Sequence, residues 1–243
     1  RMLRGGSKLV AHAQRDELSL LQDFCELVVG PAGYRMAWVG VPEDDAERRV
    51  RPVASAGMEA GYLDSAQISW ADNERGRGPT GVAIRERRPS INQNAQTNPD
   101  FEPWRESALR QGYRASIALP LLVESGRCMG ALMLYAAEPD SFGADEVELL
   151  CGLADDLAFG VRALRQRAAS DRVSVALRES EERLALTLEA TNQGLFDLNV
   201  QTGEVVVNDE YAAMLGFDPA DFHETQDAWF ARMHPDDVGP SRQ

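Results

Sequence analysis

Glu74-Arg75-Gly76-Arg77-Gly78-Pro79-Thr80-Gly81 is a glycine-rich loop that runs directly into a short helical pattern. Its glycines admit backbone conformations closed to other residues, and Pro79 fixes the chain where a helix can begin. The spacing predicts a helix from Thr80 to Arg87, whose first-turn amides point outward and suit the mouth of a small-molecule pocket. Arg75, Arg77 and Arg114 can grip an anion together with that helix start, or they are ordinary surface arginines around a solvated loop.

The flanking text alternates strand and helix signals. Upstream, Leu18, Leu21, Cys25 and Val28 recur at spacings of three and four, which predicts an amphipathic helix within Ser7–Val29, stopped by Gly30-Pro31. Tyr34 to Val41 reads as a buried strand followed by a polar turn at Pro42-Glu43-Asp44-Asp45, and Val50 to Ala56 as a second strand. Pro52 cannot donate to a ladder, so that strand belongs near a sheet edge. Downstream, a helix is expected from Pro103 to Gln111, with Gly112 as its stop. Arg114–Val123 and Arg127–Ala136 then form a hairpin across Glu124-Ser125-Gly126. This order predicts an α+β domain on an antiparallel sheet, with its core between about residues 15 and 160.

A long helix follows from Ala144 to Asn192. Leu150, Ala154, Leu157, Val161, Leu164 and Ala168 alternate at steps of four and three, as a coiled-coil seam does. The seam shifts phase after Ala168 and resumes through Val173, Leu177, Leu184 and Leu188, as a stutter would make it. Leu157, Val161, Leu164, Leu177, Leu184 and Leu188 are therefore the expected residues of a paired helix. The alternative is a single helix packed on the sheet, and the first half must in either case also cover that sheet.

With 243 residues, 44% of them hydrophobic but in short runs, the chain reads as soluble and globular, with no membrane segment. A formal charge of −14 argues against a nucleic-acid surface, leaving a small molecule or another protein as partner. The three cysteines, Cys25, Cys128 and Cys151, lack metal-type spacing and fit a reducing compartment, so a cytoplasmic location is expected. No apolar leader opens the sequence, and its start reads as internal to a longer protein.

Beyond Asn192, Leu195–Val200 and Glu204–Asn208 read as a hairpin around Gln201-Thr202-Gly203. Tyr211, Met214 and Leu215 suit a short helix ending at Gly216, and Asp227 to Met233 suits another. Gly194-Leu195-Phe196-Asp197-Leu198, with Trp229 and His234-Pro235-Asp236-Asp237, resembles the first half of a PAS domain. A whole domain commonly needs about 100 residues, so this half is expected to be truncated.

A second resemblance covers residues 5 to 166. Tyr34-Arg35-Met36-Ala37-Trp38-Val39-Gly40, Gly57, Gly61-Tyr62-Leu63-Asp64 and Ile68-Ser69-Trp70-Ala71-Asp72 carry it, together with the glycine loop. It continues through Pro103-Trp104-Arg105, Arg110-Gln111-Gly112-Tyr113, Ile117-Ala118-Leu119-Pro120-Leu121, Gly130-Ala131-Leu132, Phe142 and Leu153–Ala158. This set resembles the GAF domain of bacterial sensory proteins. The resemblance implies a sheet with helices on one side and, on the other, a pocket roofed by the segment between Gly57 and Thr97. The expected organisation is a GAF domain over residues 1–166, an overlapping connector helix over 144–192 and a partial PAS domain over 193–243. Such modules commonly stand upstream of a diguanylate cyclase (GGDEF), with or without an EAL phosphodiesterase, in cyclic-di-GMP signalling, or of a histidine kinase in a two-component system. The implied function is to sense or transmit, with dimerisation through the helix and no catalysis by this stretch.

Pocket candidates are Trp38, Trp70, Asp72, Arg75, Thr80, Tyr113 and Arg114. Aromatic walls with a few polar groups are usual for small ligands, although core packing also explains Trp38, Trp70, Tyr113 and Trp104. The ligand is unknown. No metal set emerges, since His234 with Asp236 and Asp237 is too sparse. No catalytic residue is assigned either, as His12, His223 and His234 form no Ser/His/Asp arrangement. None of the cysteines has the setting of a bilin-binding GAF domain, and only Phe142 and Asp145-Glu146 echo the cyclic-nucleotide type. A rival reading is a thiol redox enzyme resembling the free methionine sulfoxide reductases, with Cys128 the residue to watch. Arg127 is the sole basic neighbour legible on its strand, and it should point to the opposite face.

Overall fold

The computed structural model describes residues 16–30, 32–57, 61–123 and 126–236, so the expected helix start at Ser7, the turn residues Glu124 and Ser125, and Asp237 lie outside the described residues. Two compact units divide near residue 170.

In the first unit, strands β1 (Met36–Pro42), β2 (Val50–Gly57), β3 (Ser90–Asn92), β4 (Ala115–Leu122) and β5 (Cys128–Ala136) form one sheet. The strand order is β2-β1-β5-β4-β3, and every neighbouring pair is antiparallel. Side chains alternate across a strand, so each strand feeds two cores. Ala37, Val39, Ile117, Leu119, Leu132 and Leu134 face one side, while Met36, Trp38, Ala118, Met133 and Tyr135 face the other. Coverage of both faces explains why β4 and β5 read as continuous apolar runs rather than as alternating ones.

Two helices cover the first face. Helix α1 (Glu17–Val29) starts where the Asp16 carboxylate accepts from the Ser19 amide at 2.8 Å, and it buries Leu21, Phe24, Cys25 and Val28. Its neighbour is the first half of α5 (Ala144–Thr191), which buries Leu150, Ala154, Leu157, Ala158 and Val161 in the same core. A Cβ on Gly160 would stand 3.0 Å from the Leu20 side chain, so the missing methyl lets the two helices close up. Arg165 then donates to both oxygens of Glu17, at 2.8 and 2.5 Å.

This arrangement corrects one expectation. Leu157 and Val161, read as seam residues for a partner helix, lie buried in the core of their own domain. The sheet needs an apolar cover on this face, and the stripe at steps of four and three supplies it.

Strand β2 forms one edge, as Pro52 predicts. Its outward backbone is partly occupied: the Gln22 amide donates to the Ser55 carbonyl at 2.9 Å and accepts from the Ser55 N–H at 3.3 Å. A side-chain amide thus stands in for a neighbouring strand and blunts the edge. The opposite edge, β3, is an addition to the sequence reading, because three residues are too few to display an alternation.

In the second unit, β6 (Phe196–Leu198) pairs with β7 (Val205–Val207), and α6 (Asp209–Met214) and α7 (Gln226–Arg232) follow. Each helix start is capped: the Asn208 side chain accepts from the Tyr211 amide at 3.1 Å, and Thr225 accepts from the Ala228 amide at 3.1 Å. The buried Glu224 carboxylate accepts from the Tyr211 hydroxyl at 3.0 Å and pairs with Arg232, which satisfies a charge that burial alone would not tolerate.

Candidate functional site

The second face of the sheet carries α2 (Tyr62–Ala66), α3 (Pro79–Glu86), a 3-10 turn at Pro99–Trp104 and α4 (Arg105–Arg110). The single helix expected from Pro103 is therefore split at Trp104 into two short pieces. Between these elements and the sheet lies an aromatic cluster. Tyr62 meets Tyr113 and Tyr135 edge-on, at centroid distances of 5.4 and 5.7 Å, and Tyr113 lies 4.7 Å from Tyr135. The Tyr113 hydroxyl donates to the Met36 sulfur at 3.1 Å. Burial raises the pKa of Tyr62 well above its ordinary value, and burial also raises that of Tyr135, so both phenols stay protonated.

The glycine loop closes over this cluster. Arg85 holds it from below: its Nη1 donates to the carbonyls of Gly76 at 2.6 Å, Ala71 at 3.0 Å and Trp70 at 3.3 Å. Two glycines are required for contact rather than for φ. A Cβ on Gly76 would overlap the Ala71 carbonyl, and one on Gly81 would overlap the carbonyls of Gly76 and Ser69. Helix α3 begins one residue earlier than expected, with Pro79 as its first residue behind Gly78.

Tyr62, Arg75, Thr80, Phe101, Trp104 and Tyr135 line a cavity here, but its free volume is only about 10 Å³. That is room for about one water. The pocket implied by the resemblance is thus filled, in this conformation, by the protein's own side chains. Outside it, Val50, Pro52, Leu63, Ile68, Ser69 and Arg75 border a surface groove of about 460 Å³. Ile68 and Arg75 stand between the two spaces.

The sequence candidates separate into two groups. Trp38 and Tyr113 are buried parts of the cluster, and Thr80 and Arg75 line its cavity. The Arg75 guanidinium donates to the Ala66 carbonyl at 3.1 Å, an acceptor it shares with the Trp104 indole at 2.7 Å. Trp70 lies outside the cavity lining: its indole donates to the Glu43 carbonyl at 2.9 Å and its ring lies under Arg48 at 4.5 Å. Asp72 pairs with Arg77 at 3.3 Å on the exposed side, away from the cavity lining. Arg114 is half-buried, and its backbone joins β5 and the β3–α4 connection through Ala136 and Ala95.

Sequence reasoning passed over Tyr135, Phe101 and Arg85. Tyr135 was within reach, because it shares the alternation of Met133. Arg85 carries no local signal, since its acceptors lie 9 to 15 residues away.

The thiols are not activated. Burial raises Cys25 to about 12. Burial likewise raises Cys128, whose Sγ donates to the Gly130 carbonyl at 3.0 Å, even though Arg87 contributes a lowering charge. The fold, not the strand, supplies that basic neighbour, so Arg127 is not the only one. Cys151 is also raised by burial. No cluster of three His, Cys, Asp or Glu side chains is placed to hold a metal ion among the described residues. Nor is any described helix long and apolar enough to cross a membrane.

The family model for the GAF domain matches residues 14–162, more than half of the sequence. The chain belongs to the GAF domain family. Solved structures share this GAF fold. The free methionine-R-sulfoxide reductase of Neisseria meningitidis, in complex with its substrate, is 18% identical with a TM-score of 0.55, covering 68% of this chain and 89% of its own. The GAF domain of a phosphoenolpyruvate-protein phosphotransferase from Coxiella burnetii gives 18% and 0.54, covering 69% and 95%. Its Acinetobacter counterpart gives 14% and 0.53, covering 69% and 95%. At such identities the likeness establishes the fold alone. A search of curated proteins found no match.

Proposed function

We propose that this GAF domain is a sensory or regulatory module of a bacterial signal-transduction protein, and that its signal leaves through α5. Residues 193–236 are read as the opening of a PAS domain. The output is a diguanylate cyclase or phosphodiesterase, or next a histidine kinase, and the setting is cytoplasmic. A small molecule binds in the aromatic cluster, against Tyr62, Trp104 and Tyr135, with Arg75, Thr80 and the first amides of α3 as polar partners. Trp38 and Tyr113 support these walls from behind. Two copies pair through α5, with Leu164, Leu177, Leu184 and Leu188 available for contact.

The observation that carries this reading is the double use of one helix. The first half of α5 closes the GAF core with Leu150, Leu157 and Val161, while Leu177 and Leu184 farther along are 58% and 59% exposed. A change in core packing therefore acts on the same rigid element that a partner reads. Since the cavity holds about one water, any larger ligand must move the roof, and that displacement is the input.

Light scattering of the chain at tens of micromolar tests the pairing, with a dimer expected and a monomer overturning it. Native mass spectrometry of the purified protein tests the ligand. A bound small molecule that is lost when Thr80 is replaced by Trp supports the site, and retention of the same molecule would place it elsewhere. The thiol redox reading finds no support in side chains that burial keeps protonated.

A further inference from the structure

Two buried polar groups on the cluster side of the sheet are left over once the fold is assembled. Asn92 and Ser116 are each 1% exposed, and neither the Asn92 Nδ2 nor the Ser116 Oγ has a hydrogen-bond partner among the described residues. Burying such a group without a partner costs free energy, so folded proteins keep few of them. The β3–β4 register sets the two residues opposite each other, which brings their Cβ atoms to about 5 Å.

Register also fixes where the pair stands. Met36, Tyr135, Ser116 and Asn92 follow one another across β1, β5, β4 and β3 as a single row. Members of such a row share a face, and Tyr135 is a wall of the aromatic cavity. On the other side of the pair, the Asn92 Oδ1 accepts from the Asn98 side-chain amide at 3.0 Å, and Asn98 caps the turn that carries Phe101 and Trp104 over the cavity. The two leftover groups thus lie between a wall of the cavity and the root of its roof.

The bonds already made set what the pair can offer. Because the Asn92 Oδ1 is occupied by Asn98, its two Nδ2 protons remain, and the Ser116 hydroxyl adds a further donor. Both donor groups are uncharged. Arg105, a cation that reaches the same loop, donates instead to the carbonyls of Ala95 and Asn98 at 3.3 and 2.9 Å and to Glu102 at 2.5 Å. A carboxylate buried against neutral donors alone would keep much of its desolvation penalty, whereas a carbonyl oxygen matches them.

We propose that Asn92 and Ser116 form the polar end of the ligand site, and that the ligand is a flat, uncharged molecule whose ring lies against Tyr135 while its carbonyl oxygen accepts from Asn92 Nδ2 and Ser116 Oγ. The inference rests on the small-molecule reading of the aromatic cluster and names the class of molecule. It also gives the roof a reason to move. In the closed cavity the two groups hold no partner, so a carbonyl-bearing ligand that lifts the roof makes bonds that the closed state lacks, and that difference shifts the equilibrium towards the open state.

The test uses the full chain and the one-ring probes acetophenone, ethylbenzene and benzoate, with binding followed by ligand-observed NMR. Ser116→Ala should weaken acetophenone by about fivefold, the loss of one hydrogen bond, and leave ethylbenzene within about twofold. Benzoate should bind the unaltered chain at least about tenfold more weakly than acetophenone does. Ser116→Ala should melt no lower than the unaltered chain, because the change removes a desolvated group and breaks no bond. Asn92→Leu is the second variant. It also releases Asn98, so its readout is the ratio of acetophenone to ethylbenzene affinity, which does not depend on the fraction folded and should fall by about fivefold. If Ser116→Ala leaves acetophenone binding unchanged while Thr80→Trp abolishes it, the polar end is wrong and the pocket reading survives. A lower melting temperature for Ser116→Ala with acetophenone binding intact assigns the hydroxyl to a bridging water and overturns the proposal. Benzoate binding as tightly as acetophenone overturns the uncharged class. Retention of acetophenone by Thr80→Trp removes the pocket reading and this inference together, and an unaltered chain that does not bind acetophenone overturns the inference alone.

Discussion

Replacing Arg85 by Met tests whether the glycine loop is held by one guanidinium. Methionine keeps much of the apolar stem and removes the donors, leaving the carbonyls of Gly76, Ala71 and Trp70 without their partner at 2.6, 3.0 and 3.3 Å. All three bonds come from one nitrogen with two protons, so two count fully and the third is shared. Hydrogen bonds to a charged donor contribute about 1.5–3 kcal/mol each, and the half-buried carbonyls recover some of that from water. A net loss of about 2–4 kcal/mol follows. For a chain of this size that corresponds to a fall in Tm of roughly 5–15 °C. Urea unfolding followed by tryptophan fluorescence suits the measurement, since Trp70 and Trp104 border the loop. The midpoint should fall with little change in slope. Arg77→Met is the control: its ion pair with Asp72 is exposed at 3.3 Å, so the change should stay within about 0.5 kcal/mol. If Arg85→Met also stays within that limit, or Arg77→Met costs as much, the account of the loop is refuted.

Three other outcomes are expected. Leu157→Ala should destabilise the GAF unit by about 2–5 kcal/mol through a core cavity, whereas Leu184→Ala should leave that unit's unfolding unchanged and weaken only self-association; equal effects in chemical denaturation would contradict the division of α5. Gly81→Ala should cost well over 1 kcal/mol, because its methyl would collide with two backbone carbonyls, and a thermal shift near zero would show that the loop can relax. Cys25 gives a pH prediction. Its thiol ionises at an ordinary 9.0 when unfolded but at about 12 when folded, so its contribution is intact below pH 9 and declines as pH rises towards 12. The loss approaches about 4 kcal/mol across that window, and Cys25→Ala should flatten it in alkaline denaturation.

Much of the fold was legible because it is written locally. The antiparallel hairpin Ala115–Leu122 with Cys128–Ala136 matches the expected strands to within one residue at each end, and Pro52 located the sheet edge. Of the pocket candidates, Arg75 and Thr80 line the cavity and Trp38 and Tyr113 lie buried in the core beside it, while Trp70 and Asp72 stand outside the lining because each has a nearer partner, Glu43 and Arg77. Arg85 and Arg87 were invisible, since both act on atoms brought to them by chain folding.

By itself the sequence determined the order of the main helices and strands, the antiparallel sheet and the apolar stripe of the long helix. These depend on φ/ψ preferences and on the spacing of side chains along a regular backbone, which a linear pattern encodes. Tertiary structure decided that the first half of that stripe meets the sheet, and how completely the aromatic side chains fill the cavity. It also decided where the glycine loop is fastened. Each of those depends on distances between residues far apart in the chain, and volume and distance have no period for a sequence to display.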